Sequence, residues 1–225
     1  LGVGDPDFPT PWEIRNEGAS SIMRGRTHYS SNVGLPELRK ALSEYLETRF
    51  EVSYAPENIM LTTGASEAID ATLRAVVDCG DEVLIPDPSY VSYAPCVELC
   101  GGVPVSVPCF AENGFKLTAE MLEKVITPKT KAILLLHYGG IPCEMDEIMA
   151  LAEKHHLTVI EDCAAGICSS YHGRPLGTFG DMAMWSFDAM KILVCGDGAM
   201  LHFKDPEMKK KAEKYLYFGL TAKSG

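Results

Sequence analysis

From about residue 58 onward the hydrophobic positions fall into two rhythms that take turns. Short runs that are apolar nearly throughout read as strands: "NIMLTT" (58–63), "EVLIP" (82–86), "VPVSV" (103–107), "KAILLLH" (131–137) and "LTVIED" (157–162). Between them apolar residues return at helical spacing in "SEAIDATLRAVV" (66–77), "YVSYAPCVELC" (90–100), "TAEMLEKVI" (118–126) and "MDEIMALAEKHH" (145–156). Thr118 with a Glu soon after it is a helix-start signal, and Pro95 is tolerated only near a helix start or at a kink. Further on, "MAMWSF" (182–187) and "AMLHF" (199–203) flank a segment holding one cation, Lys191, and "PEMKKKAEKYLYF" (206–218) reads as an amphipathic helix.

Strands that are apolar on both faces, alternating with helices, predict a three-layer α/β/α sandwich around a mostly parallel sheet. The first ~55 residues lack clear strand patterns, and "LPELRKALSEYLETRF" (35–50) is the one helix they predict. The chain therefore divides into an N-terminal segment (1–55) and one large domain (56–225), with no repeat or linker. A net charge of −11 with no basic block argues against a nucleic-acid partner. The apolar runs are far shorter than the ~18 residues of a membrane span, and "LGVGDPDFP" shows no export signal. Eight cysteines, none in a CxxC pair and most inside apolar runs, suit a reduced cytoplasmic protein better than a metal site.

In sheets of this kind ligands bind beyond the carboxyl ends of the strands. "TTGAS" (62–66) leaves a strand and opens a helix. Gly64 permits close backbone approach, and the amides of Ala65 and Ser66 lie where a helix N-terminus favours an anion, although an ordinary N-cap reads the same way. Asp162 ends "LTVIED", where it could pair with a protonated ring nitrogen or cap the next segment. Tyr90 follows "PDPS" and could stack on a flat ligand or simply pack. Ser186 and Lys191 share the last strand exit, and Lys191 is either a solvated loop lysine or an amine kept for covalent chemistry. Anion cradle, carboxylate, aromatic face and amine together form the set that a phosphorylated pyridine aldehyde needs.

On these residues the chain resembles the fold-type I pyridoxal-phosphate enzymes, the aspartate aminotransferase superfamily. "HYSSNVGLPELRKALSEYL" and "NIMLTTGASEAIDATLRAVVDCGDEVLIPDPSYVSY" resemble class I/II amino-acid aminotransferases. "HYGGIPCEMDEIMALAEKHHLTVIEDCAA", "YHGRPLGTFGDMAMWSFDAMKILVCGDGAM" and "KYLYFGL" resemble the DegT/DnrJ/EryC1/StrS sugar aminotransferases. The resemblance implies pyridoxal 5'-phosphate held on Lys191 as a Schiff base, Asp162 on the pyridine nitrogen and Tyr90 on the ring. It places Gly64, Ala65, Ser66 and Ser186 at the phosphate. It also implies that Tyr29 reaches the phosphate of a neighbouring subunit in a homodimer, and that Gly4 contacts substrate. Lys191 and Asp162 are the expected catalytic residues.

The sequence departs from the family pattern in several places. "HYGGIP" replaces the class I asparagine motif after strand 131–137, Ala165 stands where sugar-branch members carry His or Gln, "GDGA" stands for "GEGG", and Phe218 precedes Gly219 in place of a histidine. The small C-terminal domain that the resemblance implies is not within the 225 residues. The function expected is amino-group transfer from an amino acid to an oxo acid or keto sugar. The alternatives are a scaffold that binds the cofactor with little turnover, or a lyase or dehydratase on the same cofactor.

Overall fold

The computed structural model describes residue 7 and residues 9–216. Gly4, Phe218 and Gly219 lie outside the described residues. A seven-stranded sheet forms the centre, from β1 (Ile59–Thr62), β2 (Glu82–Asp87), β3 (Val103–Pro108), β4 (Thr130–Leu136), β5 (Thr158–Asp162), β8 (Met182–Ser186) and β9 (Ala199–Phe203). β6 (Ser170–Tyr171) and β7 (Arg174–Pro175) make a separate two-residue ladder. The sheet order is β1-β9-β8-β5-β4-β2-β3. β3, β2, β4, β5 and β8 run parallel, and β9 runs antiparallel to both β8 and β1. Every strand except β9 therefore ends at the same edge, and β9 begins there.

Alternate side chains of each strand feed two separate cores. Val83, Ile85, Ala132, Leu134, Ile160, Met182 and Met184 face one side. Leu84, Ile133, Leu135, Val159, Ala183 and Trp185 face the other. Helices α3 (Ala65–Val76), α4 (Tyr93–Leu99) and α7 (Pro206–Leu216) cover the first face, and α2 (Pro36–Phe50), α5 (Ala119–Glu123) and α6 (Met145–His155) cover the second. α3 buries Ala68, Ile69, Ala71, Thr72, Leu73, Ala75 and Val76. Small residues in that set let the helix lie close to the sheet, and each buried Ile, Leu or Val stabilises the packing by roughly 1.5–3 kcal/mol. The three-layer sandwich expected from the strand–helix alternation is what forms.

Boundaries and one element differ from the sequence expectation. α4 starts at Tyr93, because the chain from 90 to 92 is still turning and Pro95 then falls in the first helical turn. α5 stops at Glu123, with Thr118 capping it through the Met121 amide at 3.3 Å. α1 (Trp12–Met23) is a helix that the pattern did not announce. None of its side chains is buried, so it has no apolar stripe toward this chain's core to betray it. Residues 192–195, with Lys191 before them, belong to an irregular segment between β8 and β9.

Candidate functional site

The shared strand edge gathers most of the residues the sequence singled out. β1 leads through Thr62 into Gly64, whose φ of +81° is a conformation that side chains with a Cβ rarely adopt. That turn aims α3 at the edge. No side chain caps the helix at Gly64, so the first-turn amides at Ala65 and Ser66 present the positive end of the helix dipole outward. The Thr63 amide is satisfied separately by Glu67 Oε2 at 2.5 Å. Tyr90, half exposed beyond β2, shares a hydrogen bond of 3.0 Å with Ser66 Oγ, linking the aromatic to the anion cradle.

Asp162 closes β5, two strands away from β2 in the sheet. It is 3% exposed. Its Oδ1 accepts the Ala164 amide at 2.8 Å and its Oδ2 accepts the Tyr93 hydroxyl at 2.5 Å. Burial pushes this carboxyl upward, while the Tyr93 and Ala164 bonds and the charge of Lys191 pull it down. Ser186, at the adjacent exit of β8, is buried and its Oγ accepts the Asp188 amide at 3.3 Å, which leaves its own proton free to donate. Lys191 lies in the irregular segment after β8 and is half-buried. Among the described residues its amine has no hydrogen-bond or ion-pair partner, while its backbone amide is pinned to Asp188 O at 2.9 Å. Its charge acts on the buried Asp162 carboxyl.

Tyr29 is not brought into this constellation: its side chain is fully exposed. Three residues that sequence reasoning passed over belong to the same region. Tyr93 is the partner of Asp162 just described; its spacing of three from Tyr90 was the available signal. Asp197 is the second. A Cβ placed on Gly64 would lie 3.2 Å from Asp197 Oδ1, so Asp197 sits beside the turn whose φ favours glycine.

Glu161 is the third. It sits on β5 beside Asp162 but on the opposite face and is fully buried. Its Oε1 accepts the amides of Phe179 (2.9 Å) and Gly180 (2.5 Å), and its Oε2 accepts the Gly177 amide (2.9 Å) and His137 Nε2 (3.2 Å). His137 Nδ1 accepts the Cys143 amide at 3.2 Å, which fixes the proton on Nε2. His137, Glu161 and Cys163 lie close enough to hold a metal ion, but both ring nitrogens and both carboxylate oxygens are already engaged with protein donors and acceptors.

An open helix N-terminus, a buried carboxylate with one acceptor position left on each oxygen, a half-exposed tyrosine and an unpaired amine fit a phosphorylated pyridine aldehyde at its phosphate, ring nitrogen, ring face and carbonyl. The fold itself is the large-domain fold of the aminotransferases. The crystal structure of Pyrococcus protein-A1 superposes with a TM-score of 0.84 at 31% identity, over 97% of this chain and 60% of that one. Aspartate aminotransferase from Thermus thermophilus with maleate gives 0.82 at 27% identity, over 98% and 60%.

The chain belongs to the DegT/DnrJ/EryC1/StrS aminotransferase family, whose signature matches residues 35–225. Members of this family and the aspartate aminotransferases are pyridoxal-phosphate dependent. A putative aminotransferase of Bacillus subtilis (strain 168), YugH, is 44% identical over 169 residues, 72% of this chain and 44% of that protein. The dTDP-4-dehydro-2,3,6-trideoxy-D-glucose 4-aminotransferase of Saccharopolyspora spinosa is 40% identical over 184 residues, 78% of this chain and 47% of that protein. The chain thus spans less than half the length of these curated relatives. Amino-acid and sugar aminotransferases are both among its relatives, as the two groups of sequence motifs implied. No helix among the described residues is long and apolar enough to cross a membrane.

Proposed function

We propose that these residues form the cofactor-binding large domain of a pyridoxal-phosphate-dependent aminotransferase. The donor is an amino acid and the acceptor an oxo acid or keto sugar. The observation that carries this reading is the gathering at one sheet edge of the uncapped α3 N-terminus, Tyr90 bonded to Ser66, the buried Asp162 and Ser186, with Lys191 in the segment that follows β8. When bound, pyridoxal phosphate supplies an aldehyde carbon that an amine can capture and a pyridine ring that draws electrons from the captured amine. The residues divide that work. Asp162 holds the ring nitrogen protonated. Gly64, Ala65, Ser66 and Ser186 take the phosphate through backbone amides and hydroxyls. Tyr90 covers the ring. Lys191 Nζ is the amine that would hold the cofactor at its carbonyl and would take up and return the proton at the substrate Cα.

A homodimer is part of the reading. Its support is the full exposure of Tyr29 and the apolar surface of α1, where Trp12, Ile22 and Met23 are all exposed. A reducing, cytoplasmic setting is supported by eight free cysteines. The test is a titration of the chain with pyridoxal phosphate, followed by addition of amino acids and amino sugars one at a time. Saturable uptake with a visible band, then loss of that band with an amine donor and its return with an oxo acceptor, is expected. No saturable uptake up to millimolar cofactor would overturn the proposal. Loss of the amine as ammonia in place of transfer would favour a lyase.

A further inference from the structure

Tyr93 touches both groups assigned to the cofactor ring. Its side chain is fully buried in the core on the α3–α4 face of the sheet. Its hydroxyl donates to Asp162 Oδ2 at 2.5 Å, and its ring meets Tyr90 edge-on, with centroids 5.8 Å apart and planes at 75°. Tyr90 in turn bonds Ser66 at the helix N-terminus. With Ala164 on Oδ1, both oxygens of Asp162 are tied, so the carboxylate has one rotamer. We propose that Tyr93 is a positioning residue that braces Asp162 and Tyr90 against each other and keeps Asp162 an ionised acceptor. This rests on the reading of the strand exits as the cofactor site. Tyr93 reaches no reacting atom, so its influence passes entirely through its two neighbours.

The charge balance around Asp162 explains why a donor is needed there. Burial alone favours the neutral acid, whose O–H would replace an acceptor with a donor. Against it act the Tyr93 hydroxyl first, then the Ala164 amide, Lys191 from the segment after β8 and His137 from the end of β4. The Cys163 thiol next in sequence faces the same charge and is itself pushed up by burial. Burial and the charge of Asp162 push the Tyr93 hydroxyl far above its ordinary range, so it stays protonated and remains a donor at every working pH. The edge-to-face contact with Tyr90 adds further order.

The experiment is a carbon-13 NMR titration of the Asp162 carboxyl in the cofactor-free chain, assigned by difference against D162N. Tyr93→Phe keeps the ring and removes the donor. Its midpoint is expected to rise by about one pH unit, the size of one hydrogen bond to a charged group. Cofactor affinity should fall about tenfold with it, and Tyr93→Leu should lose more because the contact with Tyr90 goes too. Incorporation of 3-fluorotyrosine at 93, a stronger donor of the same shape, should lower the midpoint; this arm holds if the Phe variant does not fold. An unchanged midpoint in Tyr93→Phe, or a raised one with fluorotyrosine, overturns the proposal. The titration needs no cofactor, so failure of the wild-type chain to bind pyridoxal phosphate would strike the proposed function separately.

Discussion

Replacing Glu161 by Gln changes one oxygen for an NH2 group in a site built only for acceptance. All four donors around it are accounted for: Phe179 and Gly180 amides on Oε1, Gly177 amide and His137 Nε2 on Oε2. Whichever way the new amide turns, its NH2 faces two of them. Turned toward His137, it could be accepted only if the imidazole moved its proton to Nδ1, which would then confront the Cys143 amide. Two buried N–H groups therefore lose their acceptor in either orientation. At roughly 1–3 kcal/mol per orphaned group the loss is about 2–6 kcal/mol, reduced somewhat because a neutral side chain is cheaper to bury. Against a domain stability of about 5–15 kcal/mol this is large. With a urea slope of about 3 kcal/mol per molar, the midpoint should fall by about 1–2 M at unchanged slope. Cofactor affinity should fall too, because residues 177–180 lead into β8, which carries Ser186 and the Lys191 segment. Equilibrium urea unfolding followed by circular dichroism measures it. A midpoint within about 0.2 M of wild type would refute the claim that both oxygens are needed.

Asp162→Ala should weaken pyridoxal-phosphate binding by about tenfold or more, the worth of a charge-assisted hydrogen bond, as read by a binding titration at neutral pH; undiminished affinity would remove Asp162 from the site. His202 stacks on Tyr54 at 3.6 Å, and burial depresses its pKa from 6.5 to about 4. Below pH 6.5 the unfolded chain takes a proton that the folded chain refuses. The fold should therefore lose on the order of 3 kcal/mol between pH 6.5 and 4, with no such loss above 6.5. His202→Phe keeps a stacked ring and should flatten that part of a stability-versus-pH profile; a slope equal to wild type would count against it.

The layers of the fold were legible because β2, β4, β5 and β8 are buried on both faces and written as nearly unbroken apolar runs. Their alternation with helices leaves few other topologies. The antiparallel β9 was not legible, since direction is set by how the chain returns and "AMLHF" reads alike both ways. α1 was missed for a physical reason: it buries no side chain in this chain, so no periodic stripe marks it. The candidate site was read from residue types that are costly in context, such as a carboxylate ending an apolar strand at Asp162 or a lysine beyond the β8 exit. Its support was hidden. Glu161 and Asp162 are neighbours in sequence but turn to opposite faces, one clamping residues 177–180 and one meeting Tyr93, because successive side chains of a strand point to opposite faces. Tyr93 was hidden because a buried tyrosine ordinarily means packing, and its hydrogen bond to Asp162 is visible only in the folded chain.

The central claim is that Lys191 is the amine that engages the cofactor. Borohydride treatment of the chain saturated with pyridoxal phosphate, followed by peptide mapping, tests it most directly. The pyridoxyl group should be found on the peptide containing Lys191, with Lys191→Ala unlabelled under the same conditions. Label concentrated on any other lysine, or undiminished labelling of the Lys191→Ala chain, would contradict it.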